Sequence, residues 1–267
     1  WTRSACSSNY KIKVVFKCLP MFPSVFALSL PGFLISLMSI GSMHDMPEQE
    51  SSGEKRTRLN QYIEERIASF GSISEERRSK LIELSDYLKE EPSASDLIFI
   101  CTHNSRRSHL AQVWAQVAAD ISGLEGVRTY SGGTEATACN PRTVAAMRRA
   151  GFDVAERDTS HGSSNPTYEV RPGPQFQGMS CFSKVYGHEV NPASGFAAVM
   201  TCSSADRGCP IVYGADARFA IPYVDPKVSD GTPAEDATYD ERLRQIGREM
   251  LFVMGKASET LSTLTAQ

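Results

Sequence analysis

From Leu97 onward, short apolar runs alternate with segments of helical period, and that alternation constrains the fold more than any other feature of the chain. Leu97–Ile100, Val127–Tyr130, Phe196–Thr201 and Arg218–Tyr223 read as strands. Ser108–Asp120 carries Leu110, Val113, Trp114 and Val117 at helical spacing. Asn140–Ala150 opens on Asn-Pro, an N-cap followed by proline at the first helical position, and stops at Gly151. Tyr239–Lys256 reads as a long closing helix. Strands joined by helices pair in parallel, because a parallel connection needs a crossover long enough to hold a helix. The expectation is an α/β domain over 96–267, with a four-stranded parallel sheet covered by helices on both faces. Between Phe152 and Gly195 no period is clean, and Pro166, Pro172, Pro174 and Pro192 interrupt it. The stretch at about 153–195 is therefore expected to be a long functional or mobile loop inserted in the domain.

The N-terminal part differs. Residues 46–95 predict a helical hairpin: Leu59, Ile63, Ile67 and Phe70 make one apolar stripe, and Gly71 ends it. Ser72 and Glu75 then read as a capping box for a second helix with Leu81, Leu84 and Leu88 inside, and Pro92–Ser95 as a hinge. Residues 1–45 stand outside the fold. Three lysines precede an uncharged run from Leu19 to Ile40, and an over-extended start, a signal peptide and a membrane anchor all fit it.

In an open parallel sheet, ligands bind beyond the carboxyl ends of the strands. Cys101 occupies that position on the first strand, and Cys101–Ser108 has the form Cys, five residues, Arg, Ser, running into a helix. A loop of this length can wrap its backbone N–H groups (Thr102, His103, Asn104, Ser105 and Arg106) around a tetrahedral oxyanion, with the helix N-terminus behind it. Arg107 can fork two hydrogen bonds onto such an anion. The same positive field favours a thiolate, and Ser108 can donate to it. The plainer alternative, a buried structural cysteine beside surface arginines, fits Arg106 better than Cys101 and Arg107. Arg106 is expected to be a solvated charge.

This loop resembles that of the low-molecular-weight protein tyrosine phosphatases and their relatives, the thioredoxin-coupled arsenate reductases, which commonly read C-T-G-N-S-C-R-S. Here His103 stands for the glycine and Arg106 for the second cysteine. The likeness continues through YSGGTEA at Tyr130–Ala136, through NPRTVAAMRRAGFDV at Asn140–Val154, and from Ala197 to about Pro226. It implies a flavodoxin-like fold and a cysteine nucleophile. It also implies that Asp225, in an Asp-Pro step after the last strand, protonates the leaving group, with Asp230 as a rival and a plain turn as the alternative. Ser131 and Asn140 could buttress the site or serve as turn and cap.

Cys202 and Cys209 stand seven residues apart in TCSSADRGCP, similar to the redox segment of the arsenate reductases. In a helix that spacing separates the Cα atoms by about 10 Å, whereas a disulfide needs less than about 7 Å. A Cys202–Cys209 bond would therefore require the segment to unwind. The spacing is poor for a zinc knuckle, and no metal or bound cofactor is expected. The other four of the seven cysteines, Cys6, Cys18, Cys139 and Cys181, read as structural or incidental.

The resemblance implies arsenate reduction with thioredoxin as electron donor, in the cytoplasm where thiols stay reduced. The alternative is a phosphatase, which needs neither Cys202 nor Cys209. Lys227, Val228 and Ser229 follow Asp225-Pro226 where tyrosine phosphatases often carry aromatic residues, which favours a small substrate. A binding module that senses oxyanions without turnover is a third reading, against which Cys101, Arg107 and Asp225 together argue. A net charge of −3 excludes bulk nucleic-acid binding, and a membrane partner is expected only if 19–40 is a true span.

Overall fold

The computed structural model describes residues 51–90, 95–157, 164–174, 176–209 and 211–264. The expected leader, Cys6, Cys18 and most of the Pro92–Ser95 hinge lie outside the described residues. Glu50–Gln267 form one compact unit.

Two helices come first, α1 (Ser52–Ala68) and α2 (Glu75–Glu90). Ser51 caps α1 in a reciprocal box with Glu54. The second cap differs from expectation. A 3-10 turn takes up Phe70–Ser72, so Ser74 rather than Ser72 accepts from the Arg77 N–H, at 3.4 Å.

Four strands, β1 (Ser95–Cys101), β2 (Val127–Gly133), β6 (Phe196–Met200) and β7 (Ala215–Ala220), form an all-parallel sheet in the order β2-β1-β6-β7. The connecting helices are α3 (Arg107–Ile121), α4 (Pro141–Arg149) and α5 (Ser203–Gly208), and α6 (Glu235–Leu264) closes the chain. β1 lies inside the sheet and sends alternate residues to two cores. Leu97 and Phe99 join the large core of α1, α2, α3 and α6, while Ile98 and Ile100 meet Met200, Cys202 and Ala205 on the α5 side. Trp114 of α3 ties the hairpin to the sheet: Tyr62 of α1 stacks on it at 5.6 Å and Phe152 meets it edge-on at 5.2 Å. Gly247 of α6 makes room, since a Cβ there would lie 2.9 Å from the Trp114 ring.

The 153–195 stretch is not a structureless loop. It holds a small antiparallel sheet of β3 (Asp153–Glu156), β4 (Tyr168–Arg171) and β5 (Met179–Cys181), in that order. Its strands have only three or four residues each, too few to show a period of two in the sequence. Among the described residues no helix is long and apolar enough to cross a membrane.

Candidate active site

β1 ends on Cys101, and α3 begins six residues later at Arg107, so the helix's positive end faces the turn between them. Cys101 is buried, and its Sγ lies 3.1 Å from the Ser108 Oγ. Asn104 shapes the turn. It adopts φ 43°, a left-handed conformation that asparagine tolerates better than most residues. Its Nδ2 donates to Ser108 Oγ at 2.9 Å, and its Oδ1 accepts from the Lys184 N–H at 3.0 Å.

The turn rests on three other segments. The N–H groups of Thr134 and Glu135, just after β2, donate to the carbonyls of Cys101 and Thr102, and the Asn140 N–H donates to Ser105 O at 3.0 Å. Gly133 allows the first of these approaches: a Cβ there would stand 2.2 Å from Glu135 O and 2.7 Å from Thr102 O. The third segment follows β5, where Ser183 Oγ donates to His103 O at 2.8 Å and the Gly133 N–H donates to Lys184 O at 2.8 Å. Nothing in the local sequence marks Ser183 and Lys184, because they act on the turn from a distant part of the chain. Asn140 also caps α4 through Arg142 N, and Ser131 Oγ lies 3.2 Å from His109 Nδ1 beneath the turn. Burial, reinforced by the Lys184 charge, pushes the His109 imidazole down to about 3, so it is neutral.

Arg107 is clamped on the loop that follows β7. Its Nη2 donates to Asp225 Oδ2 at 2.6 Å and its Nη1 to Tyr223 O at 3.0 Å. Asp225 also accepts from the Lys227 N–H at 3.1 Å, which fixes the carboxylate where the chain turns through Pro226. Asp230 is engaged elsewhere, accepting from the Tyr239 hydroxyl at 2.8 Å and pairing with Arg106 at 3.4 Å. Arg106 is therefore not the solvated charge expected. Its side chain is 12% exposed and also donates to Tyr239 at 2.8 Å, so it braces the turn against α6. The His103 side chain points outward and meets Glu135 at 2.9 Å.

Cys202 is buried next to the turn, its Sγ 3.4 Å from Thr102 Oγ1. It caps α5, accepting from the Ala205 N–H at 3.3 Å. Cys209 ends the same helix and is half-buried. The segment between the two thiols is thus helical. Cys139 and Cys181 are buried, and burial raises both thiols above the ordinary range, Cys181 to about 12.

Residues 96–166 match the family described as low molecular weight phosphotyrosine protein phosphatase. The match contains Cys101 and Arg107 and ends before Cys202, Cys209 and Asp225. The chain is 29% identical over 116 residues to arsenate reductase 2 of Staphylococcus epidermidis, an alignment covering 43% of this chain and 66% of that protein. It is 40% identical over 65 residues to an arsenate reductase of Bacillus licheniformis, covering 24% of this chain and 44% of the relative. The chain thus spans slightly less than two thirds of the length of the first of these relatives. A solved low molecular weight protein tyrosine phosphatase from T. tengcongensis superposes on 62% of this chain and 99% of its own, with 16% identity and a TM-score of 0.41. Residues 96–166, which hold the Cys101–Ser108 turn at the end of β1, are thus similar to the low molecular weight phosphotyrosine protein phosphatase family.

Proposed function

We propose that the protein reduces arsenate to arsenite. The observation that carries this reading is the placement of Cys202 against Thr102, one residue from the nucleophile, with Cys209 on the more exposed end of the same short helix. A hydrolytic phosphatase has no use for a thiol there.

On this reading Cys101 attacks arsenate seated in the turn, and Asp225 gives its proton to the departing oxygen, which leaves as water. The Cys202 thiolate then attacks the Cys101 Sγ. The S–As bond breaks, its electron pair stays on arsenic as arsenite departs, and a Cys101–Cys202 disulfide remains. Cys209 attacks Cys202 and frees Cys101. The Cys202–Cys209 disulfide is reduced by the dithiol of thioredoxin, which places the protein in the cytoplasm. Arg107 serves twice in this scheme, as the fork for the oxyanion and as the partner that locates Asp225. Residues 96–267 are then the catalytic domain, with the 46–95 hairpin as an accessory to it.

The test is NADPH consumption on adding arsenate to the protein with thioredoxin and thioredoxin reductase, repeated with Cys202→Ser and Cys209→Ser. Turnover that requires both cysteines is the expected result. Hydrolysis of a phosphate ester that survives both substitutions, without arsenate turnover, would overturn the reading in favour of a phosphatase. The phosphatase-family match at 96–166 makes that assay the necessary parallel.

A further inference from the structure

A cavity of about 460 Å³ lies between the hairpin and α6, beside the loop that follows β7. Four cations line it, Arg77 and Lys80 from α2 and Arg242 and Arg248 from α6, against two carboxylates. Both carboxylates are already engaged: Glu249 holds Arg77 at 2.7 Å and Glu76 holds Lys80 at 3.2 Å. Two guanidinium groups, Arg242 and Arg248, therefore remain outside any ion pair among the described residues. Arg242 reaches the Gln245 amide and no carboxylate within ion-pairing distance. Arg248 has no hydrogen-bond or ion-pair partner among the described residues, and the Nε atoms of both are buried without an acceptor. Burial holds the Arg242 guanidinium below its ordinary range; the charges of Glu241 and Glu249 act against that, and the like charge of Arg107 adds to it. Two part-buried cations line one cavity with no carboxylate within ion-pairing distance, so an anion placed there would gain charge-assisted hydrogen bonds.

We propose that this cavity is a second oxyanion site, separate from the Cys101 turn, which takes a doubly charged tetrahedral oxyanion. Guanidinium forks suit the oxygens of such an ion better than they suit chloride, which offers no pair of acceptors to a fork. The ion is either free or the phosphate group of a larger ligand. Arg77 supplies a preformed wall, held over the Tyr223 ring at 4.6 Å while Glu249 fixes its other side. The site also touches the catalytic machinery. Tyr223 and Val224 line it, the Tyr223 carbonyl accepts from Arg107, and Asp225 is the next residue. Filling the cavity therefore stiffens the segment that positions Arg107. Anion binding here requires no thiol, so the site stands whether or not arsenate is the substrate.

The test is titration calorimetry of the full chain with sodium sulfate at low ionic strength. The wild-type protein should bind at both sites. Arg107→Ala should lose the catalytic-turn event and keep the other. Arg242→Gln combined with Arg248→Gln should weaken the cavity event by about tenfold or more, as expected for removing two charge-assisted contacts. Lys80→Glu on the exposed rim, made in the Arg107→Ala background, is the companion variant that leaves the packing alone; it too should weaken the remaining event. Loss of all sulfate binding in Arg107→Ala would overturn the proposal, as would unchanged affinity in both cavity variants. Inorganic phosphate and adenosine monophosphate, titrated into Arg107→Ala, separate the two sources. Equal affinities identify the free oxyanion, and tighter binding of the nucleotide identifies an organic phosphate.

Discussion

Helix α5 and a Cys202–Cys209 disulfide exclude one another, so the stability of the helix should be readable in the redox equilibrium of the pair. Cys202 caps α5 and Cys209 follows its last turn. Seven residues at 1.5 Å rise put their Cα atoms about 10 Å apart, beyond the ~7 Å that a disulfide tolerates. Gly208 is exposed and helical, and a Cβ added there meets nothing within 4 Å. Alanine at this position should favour the helix by about 0.5–1 kcal/mol, somewhat under the full Gly-to-Ala difference because the site is terminal. The reduced form alone keeps the helix. The dithiol should thus be favoured about two- to fivefold, moving the midpoint potential about 10–20 mV in the oxidising direction. Ser204→Gly, exposed in the first turn of α5, should move it the opposite way by about 10 mV, from a propensity loss of ~0.5 kcal/mol. The assay is equilibration in glutathione buffers of a Cys101→Ser background, followed by thiol trapping and mass spectrometry of the Cys202–Cys209 peptide. Coincident midpoints for all three chains would refute the reasoning, because the bond would then form without disturbing α5.

Gly133→Ala should drive the end of β2 into the Thr102 carbonyl and cost about 10²-fold in kcat, the usual result of moving reacting groups by about 1 Å; steady-state kinetics with an intact circular dichroism spectrum is the check. His109 is neutral in the fold, with its pKa near 3 against 6.5 in the unfolded chain. As pH falls below about 6.5 the unfolded chain gains a proton that the folded one refuses, so stability should decline by up to ~1.4 kcal/mol per pH unit. Urea unfolding at pH 7 and pH 5 should show that decline, and His109→Gln should reduce it. Arg77→Gln should leave Glu249, which is 1% exposed, without its charged partner, keeping only the Gln245 amide, and destabilise the fold by about 3 kcal/mol, measured as a lowered urea midpoint.

Strongly periodic segments were legible in the sequence, and so was the turn at the end of β1. The alternation after Leu97 leads to the parallel sheet because β1 and β6 are short apolar runs and α3 carries a full helical face, whereas β7 is half-exposed and α5 has only six residues. The spacing from Cys101 to Ser108 leads to a tight turn between β1 and α3 because its geometry is local. What could not be read depends on distant backbone. The β3–β5 sheet is built from strands too short to carry a pattern, and Ser183 reaches His103 through a pairing no local rule encodes. Arg106 looked solvated because its partners, Tyr239 and Asp230, lie more than a hundred residues further along. Asp225 was placed by resemblance, and its clamp on Arg107 is visible only in three dimensions.

The bracing by Ser183 and Lys184 has a consequence for how the protein comes into being. Each bond spans 80 residues of sequence, and a nascent chain emerges at about 5–20 residues per second. The Cys101 turn therefore leaves the ribosome several seconds before Ser183 and Lys184, which complete its bracing. During that interval β1, β2 and α3 can already associate, and the turn has its braces from Thr134, Glu135 and Asn140 but not those from Ser183 and Lys184. A translation product cut short before residue 183 would therefore hold Cys101 in a partly braced turn and, on the proposed function, lack Cys202, Cys209 and Asp225.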